Sequence, residues 1–562
     1  WENSAWKRFK RYVETFRRTC AAEGPVPMGA YIAEFETLMT GDAPQSDGSW
    51  VKKTPSHRKR VKKRGPGAFV LAIIFSVAAP LVFSTSAHNL FVSIKERVTV
   101  KPPEEAIPGY WAWATGFWSH DIYPTMSGPR SFTESFEADK IFEQPVVTWA
   151  YYLSRFPKGK QGMILRAKQK MEQGLFHLSN FVYNAFVKRE ILLKITRAVY
   201  QWVKPRCIQG SFEGTKPASG VWFLRYSNAL KFSMNPTTHV WYCSGYNGNT
   251  FNWWINYQME RLGMDCFFVG SDFSKYDVTQ GRYCIEGEIE WYRRLGCGDL
   301  EFGAEILFSK IRTKGYGNGV KYLVWFTRKS GDNDTSSGNS RNTAIAMVSF
   351  FEGVLGLTPD QYAIAVLGDD NFSLVQKSAV DMTVVKSLMV EHMKKLGFSV
   401  KVIVTTDIMK AEFLSRRFYP VGDKYVIGKK PGRVLCKLGY TVSNTRKSRE
   451  THLSEFKGTL LSMLGESSHV PFLRKYVKIC LEQLTTVKAV FKKHQELKLA
   501  GEAHEPTKET FVAFEELYGL GRGDELRFEA KLRRAVRRWG LMCILNSDAV
   551  EEMLRVDQNS GV

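Results

Sequence analysis

The sequence predicts an α+β chain rich in helix, on three observations. Two apolar runs flank the turn Gly368-Asp369-Asp370 within residues 363–375, the pattern of a β-hairpin. A second strand candidate, Cys266-Phe267-Phe268-Val269-Gly270, runs into the acidic segment 271–277. Amphipathic helical periodicity begins at Val146 and returns from about 446 to 562.

The hairpin would carry two adjacent carboxylates at its tip. Neighbouring carboxylates repel unless a cation stands between them, so a rigid turn presenting both suits magnesium. A solvated Asp-Asp turn is the plain alternative, and distant segments decide between the two. Asp272 stands at the end of its strand, where it can face a carboxylate from a neighbouring hairpin. Between them, residues 330–342 form a Gly-, Ser- and Asn-rich loop opening a helix whose apolar side continues through Ala344, Ile345, Met347, Val348 and Phe351. The ordered set D-x4-D (Asp272, Asp277), S-G-x3-T-x3-N (Ser330, Gly331, Thr335, Asn339) and G-D-D resembles motifs A, B and C in the palm of viral RNA-dependent RNA polymerases of positive-strand RNA viruses. Within that group, D-F-S-K-Y-D, S-G-D-x2-T and F-L-S-R-x-F look most similar to nodavirus- and tombusvirus-like enzymes.

The resemblance implies a right-hand fold: fingers, a palm built on an antiparallel sheet, and a thumb. It implies template-directed nucleotidyl transfer from nucleoside triphosphates to an RNA 3′-hydroxyl, serving viral genome replication and transcription. Two Mg2+ ions roughly 3.5–4 Å apart, with Mn2+ able to substitute, would be held by Asp272 and Asp369, with Asp370 secondary. Asp277 would discriminate the sugar with Ser330, Gly331, Thr335 and Asn339, because reading a 2′-hydroxyl needs polar partners that go unmet when a deoxynucleotide enters. Reverse transcriptases resemble this palm but usually carry a bulky aromatic where Asp277 stands and an aromatic-x-Asp-Asp in place of Leu367–Asp370, so both positions favour RNA synthesis.

Composition agrees with a nucleic-acid or anionic-membrane partner. The 562 residues carry 79 Lys plus Arg against 56 Asp plus Glu, a formal charge of +23 and a pI near 9.5. A basic protein with no such partner is the plainer reading of charge alone. Nine cysteines without a C-x2-C pair or a His at metal spacing argue for reduced thiols and against a disulfide scaffold or zinc site. The chain opens on Trp1, without an initiating Met, as a processed, truncated or partial sequence does.

Taken in order, residues 1–100 read as a basic region. Lys52-Lys53 and the run His57 to Arg64 precede an apolar stretch, 68–83, which is slightly short of the ~20 residues that span a bilayer and contains Pro80. A basic flank beside an apolar helix suits a membrane anchor, and a buried core helix or pair of strands suits the same residues. A signal peptide does not fit so long a charged segment ahead of it. The resemblance implies replication in the host cytoplasm on intracellular membranes and so leans toward the anchor. Residues 101–145, rich in Pro, Gly and aromatics (Trp111, Trp113, Trp118, Tyr123, Pro124, Pro129), read as irregular connection.

Residues 101–260 would be fingers with part of the palm boundary. Here F-V-K-x-E (186–190) and K-P-R-x-I (204–208) look like the basic motif F, with Lys188, Arg206 and, behind them, Lys194 as cations for the incoming triphosphate. No G-x4-G-K-[ST] occurs, and residues 210–216 have the wrong Gly spacing for a P-loop. The palm would span 261–420 with a fingers segment inserted at about 282–328. Helix 384–396, stopped by Gly397, and strand 399–404 look like motif D, where Lys401 or Lys410 would protonate the departing pyrophosphate. Residues 412–418 look like motif E, with Ser415 and Arg416 gripping the primer end. The thumb and a loose tail would fill 421–562, where Lys531–Trp539 is a basic helix able to face duplex RNA or simply water. The partners implied are RNA template and product strand, nucleoside triphosphates, a host membrane and a second copy of the chain.

Overall fold

In the computed structural model, residues 68–99, 106–116, 145–175, 181–195, 204–212, 214–295, 297, 306–443 and 447–559 are described, together with parts of 7–54. They build a mixed α/β protein around a five-stranded sheet. In chain order its strands are β1 (Val240–Tyr242), β2 (Cys266–Phe273), β3 (Tyr362–Leu367), β4 (Asp370–Gln376) and β5 (Val400–Thr405), laid side by side as β1-β3-β4-β2-β5. β1 runs parallel to β3, and the other three pairings are antiparallel.

Side chains alternate along a strand, and here both faces of the sheet are covered. Phe267, Val269, Ile364 and Val366 pack into one core with helices α1 (Thr335–Val348) and α2 (Met382–Lys395). Phe268, Ala363, Ala365 and Phe372 face the other way, against Phe251, Trp254 and Ile255 of helix Gly248–Arg261. This is why the two hairpin strands read as nearly continuous apolar runs. Removing Phe267 or Phe268 from water contributes about 1.5–3 kcal/mol each. Helix α1 is buried on every side from Ser337 to Val348, so its polar residues must find partners inside the protein.

The apolar stretch 68–83 adopts the core-strand alternative rather than a spanning helix. Ala68–Val70 pairs with Tyr440–Val442, Ile74–Phe75 with Cys543–Leu545, and Ala78–Phe83 with both Leu192–Ile195 and Glu34–Phe35. Its side chains are buried among Tyr476, Phe528 and Leu545, so core packing accounts for the hydropathy that suggested an anchor. Among the described residues no helix is long and apolar enough to cross a membrane.

A second sheet places Trp50–Lys53, Val320–Trp325, Arg312–Gly317, Tyr183–Val187 and Cys207–Gly210 side by side. It brings both basic segments, 186–190 and 204–208, to adjoining strands. From Arg449 onward the chain is helical as expected, with one short strand, Cys543–Leu545. Within helix Arg522–Trp539, Arg533 pairs with Glu482 and Glu529 and Lys531 with Glu23, so this basic face is partly answered by acids of the same chain. In the aromatic connection, Tyr110–Gly116 is helical and Trp111 is buried, donating to the Leu396 carbonyl at 2.9 Å. Trp118, Tyr123, Pro124, Pro129, Arg197, the run 57–64 and residues 560–562 lie outside the described residues.

Candidate active site

The 363–375 hairpin turns at Gly368, whose φ of +68° favours glycine. Helix α1 holds that turn from below: the Gly368 N–H donates to Ser340 Oγ at 2.8 Å, and Thr343 Oγ1 donates to the Gly368 carbonyl at 2.8 Å. The carboxylates of Asp369 and Asp370 therefore sit on a turn pinned at both its amide and its carbonyl.

Register supplies the third acid. Ser271 of β2 lies opposite Asn371 of β4, with their side chains hydrogen-bonded at 2.8 Å, and the next residue of β2 is Asp272. Asp272 thus comes level with the hairpin tip, about 100 residues away in the chain. The charges feel one another. Burial, then the Asp272 charge, pushes the Asp369 carboxyl above its ordinary range. Burial, then Asp369, Glu412 and Asp272, pushes Asp370 up to about 7. Asp272 is raised by burial and by Glu412, with Lys401 opposing. All three keep an open face, yet they share a recess deep enough that desolvation leads each shift.

The remaining expected residues divide. Lys401 lies directly opposite Asp272 across β2 and β5, whereas Lys410 stands in a short 3-10 turn, Ile408–Lys410, beyond that strand. Arg206 reaches far enough to lower the Asp369 carboxyl, and it shares Glu190 with Lys188 at 3.3 and 3.5 Å. Lys194 is on strand Leu192–Ile195, paired with Ala79, but its side chain is outside the described residues. Asp277 accepts from Asn339 Nδ2 at 3.1 Å. The hydroxyls of Ser330 and Thr335 are engaged locally: Ser330 Oγ accepts from the Gln209 N–H at 3.1 Å, and Thr335 donates to the Lys329 carbonyl at 2.7 Å. They brace the loop against strand 207–210. Gly331 has to be glycine there, since a Cβ would meet the Gln209 carbonyl at 2.3 Å. Ser415 and Leu414 both have positive φ, and Arg416 donates to Glu466 at 2.9 Å. Glu412 was not among the expected acids. Its place just ahead of F-L-S-R was the only sign of it.

Hard carboxylate oxygens from two neighbouring strands are the donor set Mg2+ takes, usually one or two carboxylates with substrate phosphates completing the shell. Among the described residues no group of three His, Cys, Asp or Glu side chains is already arranged to hold a metal ion. Burial first, and then the neighbouring carboxylates, raise Asp369 and Asp370, and a bound cation would offset both.

Beside the recess, Ser415, Lys429, Arg433, Lys437 and Lys498 line a cavity of about 540 Å³ between hairpin 416–429 and the C-terminal helices. Lys437 is held below its ordinary pKa by burial and then by Arg433, with Arg206 and Lys188 adding to the effect. Lys437 of the cavity thus lies within electrostatic reach of Glu190, Arg206 and Lys188 of the basic segments.

Over residues 130–498 the chain matches a family of known proteins described as RNA dependent RNA polymerase. It is similar to the RNA-directed RNA polymerase of Tobacco necrosis virus (strain D), 27% identical over 163 residues, 28% of this chain and 22% of that protein. It is also similar to the replicase large subunits of Tobacco rattle virus (strain SYM), 32% identical over 83 residues (15% of this chain, 5% of the relative), and of Tomato mosaic virus (strain L), 40% over 81 residues (14% and 5%). The matched segment thus spans at most about a fifth of the length of these relatives.

Proposed function

Because the chain belongs to the RNA-dependent RNA polymerase family, we propose that it extends an RNA strand on an RNA template, from nucleoside triphosphates, at the recess formed by Asp272, Asp369 and Asp370. The observation that carries this reading is the convergence of Asp272 and Asp369, from strands paired to a common neighbour, under the field of Arg206. Two Mg2+ ions, or Mn2+ in their place, would be held by Asp272 and Asp369 with Asp370 behind them, lowering the pKa of the attacking 3′-hydroxyl and neutralising the leaving pyrophosphate.

The residues of the chain do the rest. Arg206 and Lys188, yoked through Glu190, orient the triphosphate by its charge. Asp277 and Asn339 accept and donate at the ribose, while Ser330, Gly331 and Thr335 hold the loop that carries them. Of the two lysines considered as proton donor to pyrophosphate, Lys401 has the better placement, beside Asp272. The central sheet and α1 serve as palm, the second sheet with helices of 101–260 as fingers, and 421–562 as thumb. The cationic cavity at Ser415 and Arg433 would seat the product strand by its phosphates. The place of action is the host cytoplasm at intracellular membranes, with attachment made by something other than 68–83. Co-flotation of the expressed chain with membranes checks this, and sedimentation checks self-association.

Purified chain offered an RNA template with ribo- or deoxynucleoside triphosphates tests the main reading. Mg2+-dependent incorporation of ribonucleotides, lost in Asp369→Asn while template binding survives, is the expected result. Efficient use of deoxynucleotides, or activity untouched by the substitution, would overturn it.

A further inference from the structure

Asn339 can donate to Asp277 only while its amide keeps one of two orientations. That orientation is set from the far side. The Oδ1 of Asn339 accepts from Arg328 Nε at 2.9 Å and from Gln280 Nε2 at 2.7 Å. A guanidinium can only donate, so Oδ1 must face Arg328 and Nδ2 must face Asp277. Gln280 is oriented by the same logic. Its Oε1 accepts from Arg328 Nη2 at 3.1 Å and from Asn342 Nδ2 at 3.0 Å, which turns its own amide N–H to Asn339.

Arg328 is in turn fixed. It pairs with Glu288 and donates to Asp334 Oδ2 at 2.8 Å, while Asp334 also accepts from Lys310 at 2.7 Å and from Tyr292 at 2.9 Å. Arg328 is 1% exposed and Gln280 and Glu288 are 0%, so water offers these groups little competition. The packing leaves no slack. A Cβ on Gly338 would stand 2.7 Å from Arg328 Nη2, which is why the residue ahead of Asn339 is glycine.

We infer that Gln280 and Arg328 are positioning residues for ribose selection. They hold the Asn339 amide so that one oxygen of Asp277 is satisfied from within the protein and the other is presented to the 2′-hydroxyl of the incoming nucleotide. The inference rests on the polymerase reading above. Neither residue reaches the nucleotide. They act through Asn339, and a deoxynucleotide is rejected because it leaves the presented acceptor unmet.

Gln280→Met keeps the volume but removes both the donor to Asn339 and the acceptor for Arg328. Gln280→Glu keeps the acceptor for Arg328 but sets an oxygen against Asn339 Oδ1, so the amide is repelled in the native orientation and opposed by Arg328 in the reversed one, and its hold on Asp277 is loosened. Single-nucleotide incorporation by the full chain on an RNA template, with Mg2+, gives kcat/KM for a ribonucleotide and its deoxy counterpart. Both variants are expected to lower the ribo-to-deoxy preference by roughly tenfold or more, through the ribonucleotide, with template affinity unchanged. If Gln280→Met does not fold, Gln280→Glu alone decides. A folded variant with native preference, or one that loses both nucleotides in equal proportion, overturns the inference and leaves Gln280 a structural residue. No incorporation of any nucleotide by the native chain would instead overturn the polymerase reading, and this inference with it.

Discussion

At the tips of β2, β3 and β4 three aspartates share an open recess in which each raises or feels the charge of another, whereas on the other side of α1 the carboxylates of Glu288, Asp332 and Asp334 are buried among Arg328, Lys310, Tyr183 and Tyr292. The two regions are about as acidic, but their physics runs in opposite directions. In the buried one, Lys310, then Arg328, hold Asp334 far below the usual carboxylate range despite its burial. In the open one Asp370 is pushed up to about 7. A carboxylate that the protein answers from within is structural. One that it answers only in part, on a turn pinned by two hydrogen bonds, is open to a charge that comes from outside.

That contrast is broken most directly at the open site. Asp369→Asn is expected to cut nucleotide incorporation by about a thousandfold or more, since it would remove one of the carboxylates proposed to hold the metal ions. Its melting temperature should hold or rise, because a like charge beside Asp370 is gone. A matched fall in melting temperature would move Asp369 to the structural class. The buried cluster predicts the reverse. Arg328→Met removes one of the two cations, with Lys310, that Glu288 and Asp334 share, and should cost about 3–5 kcal/mol in denaturant unfolding. A loss below 1 kcal/mol would show that the cluster does not stabilise the fold.

Glu352 supplies a calibration: it is buried, accepts from the Tyr362 hydroxyl at 2.7 Å, and lies 3.8 Å from the ring of His239, which burial pushes down to about 3 and so keeps neutral. Burial pushes its carboxyl up to about 7. The folded state therefore binds its proton more tightly than the unfolded chain, whose value is near 4.5. Its contribution is fully present below the unfolded value and is lost as pH rises from there through about 7. The size is at most about 3 kcal/mol. Melting temperatures of Glu352→Gln and the native chain, measured from pH 4.5 to 8, should diverge with rising pH in favour of the variant. Smaller again is Gly331→Ala. Its Cβ would press the Gln209 carbonyl, for about 1–3 kcal/mol of stability and a parallel loss of activity as the loop shifts.

Much of the open site is legible in the sequence, and little of the buried one. The hairpin was visible because two apolar runs bracket a Gly-Asp-Asp turn, and it forms within a residue of the expected bounds. The strand before Asp272 is longer than expected, running to Phe273, because pairing with both β4 and β5 carries it past the apolar run. Residues 68–83 show the converse. A continuous apolar run reads alike as helix or strands, and only pairing with segments some 370 to 470 residues away selects strands. Gln280, Arg328 and Glu412 carried no pattern of their own. Each is one polar residue among many, and its partners come from distant stretches that only folding brings together.

If Asp272 and Asp369 clamp the same divalent cation, thermal stability must respond to that cation through both of them. The native chain should gain melting temperature with Mn2+ or Mg2+. Asp272→Asn and Asp369→Asn should each abolish that gain, and the double variant should do no worse than either alone. A full cation response retained by Asp272→Asn, with Asp369→Asn losing it, would contradict a shared site.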